Sequence, residues 1–172
     1  PKQLRKIIRT AVRMLDNVID INFYPSSRAR NGNLRHRPIG LGVMGYAEYL
    51  IKRGIAFDSE EHLVEADKLF EMISYYAIEA SSDLAAERGK YQSYEGSLWS
   101  QGIFPLDTAR KGVGYGTRLD WDALRAKVLK QGMRNFSTSP LYSTNTWEGR
   151  LQSRLLDICN SPMFQSSQLG LV

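Results

Sequence analysis

Between Asp58 and Arg88 apolar residues recur at three- and four-residue steps without a break: Leu63, Ala66, Phe70, Ile73, Ala77, Ala80 and Leu84. That period places them along one face of a helix. At 1.5 Å per residue such a helix runs about 45 Å, which spans a domain rather than decorating one. The rest of the chain must therefore pack around it. Asp58 is the expected N-cap, with Glu61 three residues on completing a capping-box-like pair. Gly89 is placed to stop the helix.

Other elements follow from the same logic. Residues 3–21 read as a helix, because Leu4, Ile8, Ala11, Leu15 and Val18 form a stripe that Ile7, Val12 and Ile19 widen. Residues 22–37 read as a basic, polar loop, with Asn31-Gly32-Asn33 as its turn signal. Ile39 to Gly42 reads as a short strand, and Val43 to Arg53 as a short helix ending at Gly54. Residues 90–117 read as loop, rich in Gly, Ser and Tyr. Leu119 to Gln131 returns to helix, with Asp120 as cap and Gly132 as stop. After Asn135 Ser, Thr, Asn and Gln dominate and periodicity fades, apart from a weak helical patch at 151–158.

Gly40-x-Gly42-x-x-Gly45 has the spacing of a dinucleotide-binding turn. That turn needs a buried strand before its first glycine and an acid about 20 residues on. Asp58, Glu60 and Glu61 could serve as the acid, but Arg35-His36-Arg37-Pro38-Ile39 cannot be a central strand. Its charges resist burial, and Pro38 removes a ladder donor. The glycines are better read as letting backbone pack closely.

The net charge of +5 and pI near 9.4 raise a nucleic-acid reading. The cations do not form one block, however. Lys2, Arg5, Lys6, Arg9 and Arg13 spread along the first helix, Arg28, Arg30, Arg35 and Arg37 cluster before the glycines, and no zinc-finger or aromatic-basic signature appears. A solvated helix face accounts for the first group. A lone Cys159 excludes an internal disulfide. With no bilayer-length apolar run and no signal sequence, the expected location is the cytoplasm.

Candidates for chemistry are sparse. Asp16 and Asp20 share a helix face and read as solvated charges; His36 and His62 have no ligand partners at metal spacing. Tyr75-Tyr76 could form an electron relay, but adjacent helical residues point about 100° apart, which suits packing better. Cys159 reads as a passive thiol. No nucleophile elbow, phosphate loop or metalloprotease motif is present.

One resemblance is far more specific. Leu15-Asp16-Asn17-Val18-Ile19-Asp20-Ile21-Asn22-Phe23-Tyr24-Pro25 and then Arg35 to Gly45 resemble the large, catalytic subunit of class I ribonucleotide reductase. The likeness continues through Phe57-Asp58-Ser59-Glu60-Glu61, Ser74-Tyr75-Tyr76-Ala77, Ala80-Ser81, Leu84 to Gly89, Tyr94-Glu95-Gly96-Ser97 and Gly132-Met133-Arg134-Asn135. The resemblance implies a fragment of a ten-stranded α/β barrel: mostly α within an α/β parent, with long outer helices and one or two short strands. It implies a parent that reduces ribonucleoside diphosphates by thiyl-radical chemistry. That parent uses ATP and dNTP effectors, a dithiol reductant, and a small subunit carrying a radical metallocofactor. The family's Asn-x-Cys-x-Glu loop is missing here, so no catalytic, cofactor or metal residue carries over, and the chain alone is expected to be inactive. Its partners would be the remainder of the large subunit, the small subunit and the substrate, with neither membrane nor nucleic acid. Residues 1–135 form the family-like segment. Residues 136–172 read as a divergent polar tail from a frameshift, a gene junction or an insertion, which would leave apolar faces uncovered. The alternatives are a basic helical nucleic-acid-binding or scaffold module and, third, a dinucleotide-binding oxidoreductase built on Gly40, Gly42 and Gly45.

Overall fold

A computed structural model describes residues 2–108 and 118–138. They form five α-helices and two short 3-10 turns, and among the described residues there is no strand. The helices are α1 (Lys2–Ile21), α2 (Ser27–His36), α3 (Tyr46–Arg53), α4 (Glu60–Arg88) and α5 (Trp121–Gln131); the turns are Trp99–Gln101 and Pro105–Thr108.

α4 is the central element, with α1 against one side and α5 against the other. Its cap is Ser59 rather than the expected Asp58: Ser59 Oγ accepts from the His62 N–H at 3.2 Å. A cap side chain must reach the second or third free N–H of the first turn, and the serine stands one residue nearer. Glu60 and Glu61 then lie in the first turn, where the helix dipole favours acids. Gly89 ends the helix at φ 86°, its N–H bonded to Ala85 O.

The buried face of α4 divides between two clusters. Ala66, Phe70, Ile73, Ala77, Ala80 and Leu84 pack with Ile8, Val12 and Ile19 of α1 and with Ile39. Ile78 joins Tyr91, Tyr94, Trp99, Phe104, Trp121, Leu124, Val128 and Met133 in the second. Four of those nine residues, Tyr91, Tyr94, Trp99 and Phe104, come from the region read as loop. α5 begins at Trp121, two residues later than expected; Asp120 caps it by accepting from Ala123 N at 2.9 Å, and Gly132 stops it.

Two expectations fail here. The region read as a loop from residue 22 to 37 contains α2, capped by Ser26 accepting from Ala29 N. Its ten residues carry no apolar stripe and bury none of their number, so periodicity could not announce it. Pro38 disfavours helical backbone in the residue before it. The helix accordingly ends at Arg37, which turns left-handed at φ 49°.

The second is the strand expected at Ile39–Gly42. What exists is a partial pairing: Phe136 N donates to His36 O at 3.0 Å and Ile39 N to Ser137 O at 3.1 Å. Both segments advance in the same chain direction. Between the two bonds stands Pro38, which has no N–H to give. The Phe136 carbonyl instead accepts from the Trp99 indole at 2.9 Å. The ladder is thus interrupted where a regular one would continue. Packing also runs past the composition change at Asn135, because Thr138 is still buried.

α3 begins at Tyr46, three residues later than expected, after Gly45 at φ 78°. Several large apolar side chains lie outward, among them Met14 and Ile21 on α1, Phe23 and Met44.

Candidate functional site

Among the described residues the most connected group is centred on Asp16. It continues the buried α1 stripe of Ile8, Val12 and Ile19, and it is 0% exposed. A buried carboxylate must be neutralised or fully hydrogen-bonded. Four donors meet this one. Oδ1 accepts from Arg37 Nε at 2.8 Å and Asn135 Nδ2 at 3.1 Å; Oδ2 accepts from Arg88 Nη1 at 3.1 Å and Arg134 Nε at 3.4 Å. The expectation of two solvated acids on α1 is therefore wrong for Asp16. Asp20, one turn on, is half-exposed and takes the other edge of Arg37, with Nη1 and Nη2 each at 2.8 Å.

Arg37 makes a fourth contact, from Nη2 to the Asp16 carbonyl at 2.9 Å. These bonds hold a residue whose left-handed backbone is unfavourable for any side chain with a Cβ. Burial works against its charge, yet hydrogen bonds to Asp20 and Asp16 more than offset this and hold its pKa above the ordinary guanidinium value. The same bond to Arg37 lowers the Asp20 pKa.

Asn135 and Ser81 complete the knot. Asn135 Nδ2 also donates to Arg37 O, and its Oδ1 accepts from Ser81 Oγ at 2.9 Å. Ser81 Oγ in turn accepts from Asn135 N, and Arg134 N donates to Ser81 O. Arg134 Nη1 closes on the carbonyls of Arg88 and Gly89 at the end of α4. The knot thus ties α1, the end of α2, the C-terminal part of α4 and the segment after α5. Both oxygens of Asp16 are thus filled by cationic or amide donors that tie distant segments together.

The other candidates separate. His62 is buried in α4, where its Nδ1–H donates to Phe57 O at 2.6 Å and its Nε2 has no partner among the described residues. His36 pairs with Ser93 Oγ at 2.6 Å, far from His62 in role and element. Among the described residues no three His, Cys, Asp or Glu side chains are placed to hold a metal. Tyr75 packs edge-on against both Tyr76 and Trp121 and donates to Asp120 O; burial raises its pKa. Cys159 and the 151–158 patch lie outside the described residues. Gly45 opens α3, but no strand precedes Gly40, so the dinucleotide turn lacks its first half.

Two of the five cations of α1 are engaged as well. Arg5 pairs with Glu79 and Arg13 with Glu87, both across to α4, which removes them from a phosphate-binding face. The Arg13 hydrogen bond lowers Glu87 to about 2. Glu65 is lowered by its bond from the Tyr49 hydroxyl.

A pH dependence follows from these depressed carboxylates. A carboxylate whose folded pKa lies below its unfolded value adds stability that is complete above the unfolded value and lost as pH falls through the folded one. The unfolded values are 3.8 for Asp20 and 4.5 for Glu65 and Glu87. Urea midpoints should be level from neutral pH to about 5 and fall steadily between about 4.5 and 2. Asp20→Asn should flatten part of that fall; an unchanged acid limb in that variant would remove Asp20 from the account.

Comparison with known proteins converges on one family. Residues 1–147 match the model of the ribonucleotide reductase barrel domain. The chain is 41% identical to the ribonucleoside-diphosphate reductase subunit alpha of Helicobacter pylori, over 99% of this chain and 23% of that protein. It is 45% identical to the corresponding subunit of Chlamydia muridarum, over 84% of this chain and 15% of the relative. It is 42% identical to the large subunit of Caenorhabditis elegans, over 77% and 17%. The chain thus spans less than a quarter of the length of these curated relatives.

Proposed function

Because this chain belongs to the ribonucleotide reductase barrel-domain family, we propose that it serves as a scaffold segment of the catalytic subunit of a ribonucleoside-diphosphate reductase. The observation that carries the reading is the family match, which runs from residue 1 to 147 and so includes every element described above. In this reading the complete subunit reduces ribonucleoside diphosphates to deoxyribonucleotides. It works with ATP and dNTP effectors, a dithiol reductant and a radical-generating small subunit. The segment itself holds no member of the radical machinery: Asp16, Arg37, Arg88, Arg134 and Asn135 fix backbone, and the sequence has one cysteine where the chemistry uses several.

The Asp16 knot gives the segment a specific task. It sets residues 36–39 beside 135–138 in the same chain direction, which supports their being the starts of neighbouring parallel strands of a ten-stranded barrel. Edge backbone of this kind is completed by further strands. The packing of Phe136 to Thr138 and the family match to residue 147 support placing the start of any divergent tail after Thr138. No described helix is long and apolar enough to cross a membrane; a cytoplasmic enzyme is the proposed setting.

A graft tests the function. Residues 1–147 should replace the matching segment of the Helicobacter pylori subunit and retain reduction of a ribonucleoside diphosphate, whereas the isolated chain should show no turnover. A folded graft without activity, when the reconstructed parent is active, would sink the reading.

A further inference from the structure

One side of the Asp16 knot opens into a cavity of about 360 Å³ bordered by Leu34, Arg37, Lys90, Tyr91, Gln92 and Arg134. Three of those six residues are cationic. The connected ion pairs behind the cavity are not balanced. Asp16, Asp20 and Glu87 are the carboxylates, and Arg13, Arg37, Arg88 and Arg134 the guanidinium groups, which leaves one positive charge over. Arg134 is mostly buried, and its Nη2 has no hydrogen-bond partner among the described residues. The surplus positive charge of the cluster, with a free Arg134 donor edge on the cavity wall, favours an anion there.

Lys90 adds a further charge, and it is placed rather than loose. A Cβ on Gly132 would stand 2.6–2.7 Å from the Cγ, Cδ and Cε atoms of Lys90, so the glycine makes the room in which the lysine stem lies. The ammonium sits 4.5 Å from the centre of the Tyr94 ring. Among the described residues its one acidic contact is Glu95 at 3.4 Å, a carboxylate 82% exposed to water and therefore a weak competitor. Lys90 follows directly on Gly89, where Arg134 closes the end of α4, so the two cations share one wall.

We propose that this cavity binds an oxyanion of the phosphate class, held by Arg134 and Lys90, with Arg37 behind them as fixed positive charge. Arginine offers the forked donors and lysine the point charge that phosphate oxygens require. The cavity is large enough for a phosphate group and its waters. The site is independent of the reductase reading, since it rests only on the charges and space of this chain.

The test uses the full chain, titrated with inorganic phosphate by calorimetry at fixed ionic strength in chloride. Saturable binding at one site is expected. Lys90→Gln should weaken it about tenfold, as loss of one charge-assisted hydrogen bond does. Glu95→Gln should tighten it, because the competitor is removed. Neither residue belongs to the Asp16 knot, so both variants should keep the wild-type circular dichroism. Methyl phosphate distinguishes the source: equal binding points to a phosphate ester as ligand, and binding of inorganic phosphate alone to the free ion. Heat no greater than that of added chloride, or Lys90→Gln binding as tightly as the parent, would overturn the proposal.

Discussion

Asp16→Ala should destabilise the chain by about 3–5 kcal/mol, the cost of removing one partner from a buried ion cluster. The size follows from what is left behind. Arg37 keeps Asp20, but its buried Nε loses its acceptor; Arg88 falls back on Asn17 and Glu87; Arg134 keeps only carbonyls. Asn135 Nδ2 keeps one acceptor of two. Three cations are left facing a void where their carboxylate stood. Ordinary domains have only about 5–15 kcal/mol of net stability, so this one change takes a large fraction of it. Asp20→Ala makes the control. Its carboxylate is 47% exposed, water can replace it, and the loss should stay near 1 kcal/mol. Urea unfolding at neutral pH decides between the two residues. If both variants shift the midpoint equally, the buried knot is not what holds Arg37 and Asn135 together, and the scaffold role given to Asp16 fails.

The same residue shows where sequence reading stops. Asp16 and Asp20 were visible as a pair on one helix face, and residue 16 even falls on the stripe of Ile8, Val12 and Ile19. An acid in a buried stripe is a signal that it has a partner. The partners, however, lie 21, 72 and 118 residues away, and nothing local names them. The helices were legible because their information is local: the α1 and α4 stripes, Asp120 as cap, and Gly54, Gly89 and Gly132 as stops. α2 was not, because its stability comes from a serine cap and a helix end fixed by Pro38 rather than from an apolar face. The strand at Ile39 failed for the reverse reason. Its apolar residues are real and Ile39 is buried, but the proline before it withholds the donor a ladder needs, and a tryptophan indole takes the free carbonyl. The family resemblance carried further than periodicity, since it rests on residue identity along the whole segment rather than on pattern.

The aromatic half of the core, which draws Tyr91, Tyr94, Trp99 and Phe104 from loop-like sequence, gives the second large effect. Phe104→Ala should cost about 3–5 kcal/mol, the range for emptying a buried phenyl site. Phe104 is 1% exposed. Its ring meets Trp99 at 5.3 Å and Trp121 at 6.3 Å, both edge-on, and the Arg125 guanidinium lies 4.8 Å from its centre. Its N–H is capped by Asp107 at 2.7 Å, and Asp107 is in turn bound by Arg125. These bonds fix the backbone, so the site cannot close over the missing ring, and a cavity remains. Leu98→Ala, six residues earlier and half-exposed, should change stability by no more than about 0.5 kcal/mol. The way in which the loss appears carries more information than its size. α4 belongs to both clusters, offering Ala77 and Ala80 to α1 and Ile78 to the aromatic group. One rigid helix shared by two clusters should make them melt together. The Phe104→Ala variant should therefore unfold in a single step, with far-ultraviolet circular dichroism and tryptophan fluorescence tracing the same curve. Fluorescence that changes at lower urea than helicity would mean that residues 91–104 and α5 open first. The long helix would then support two units of different stability, and only the α1–α4 unit would depend on Asp16.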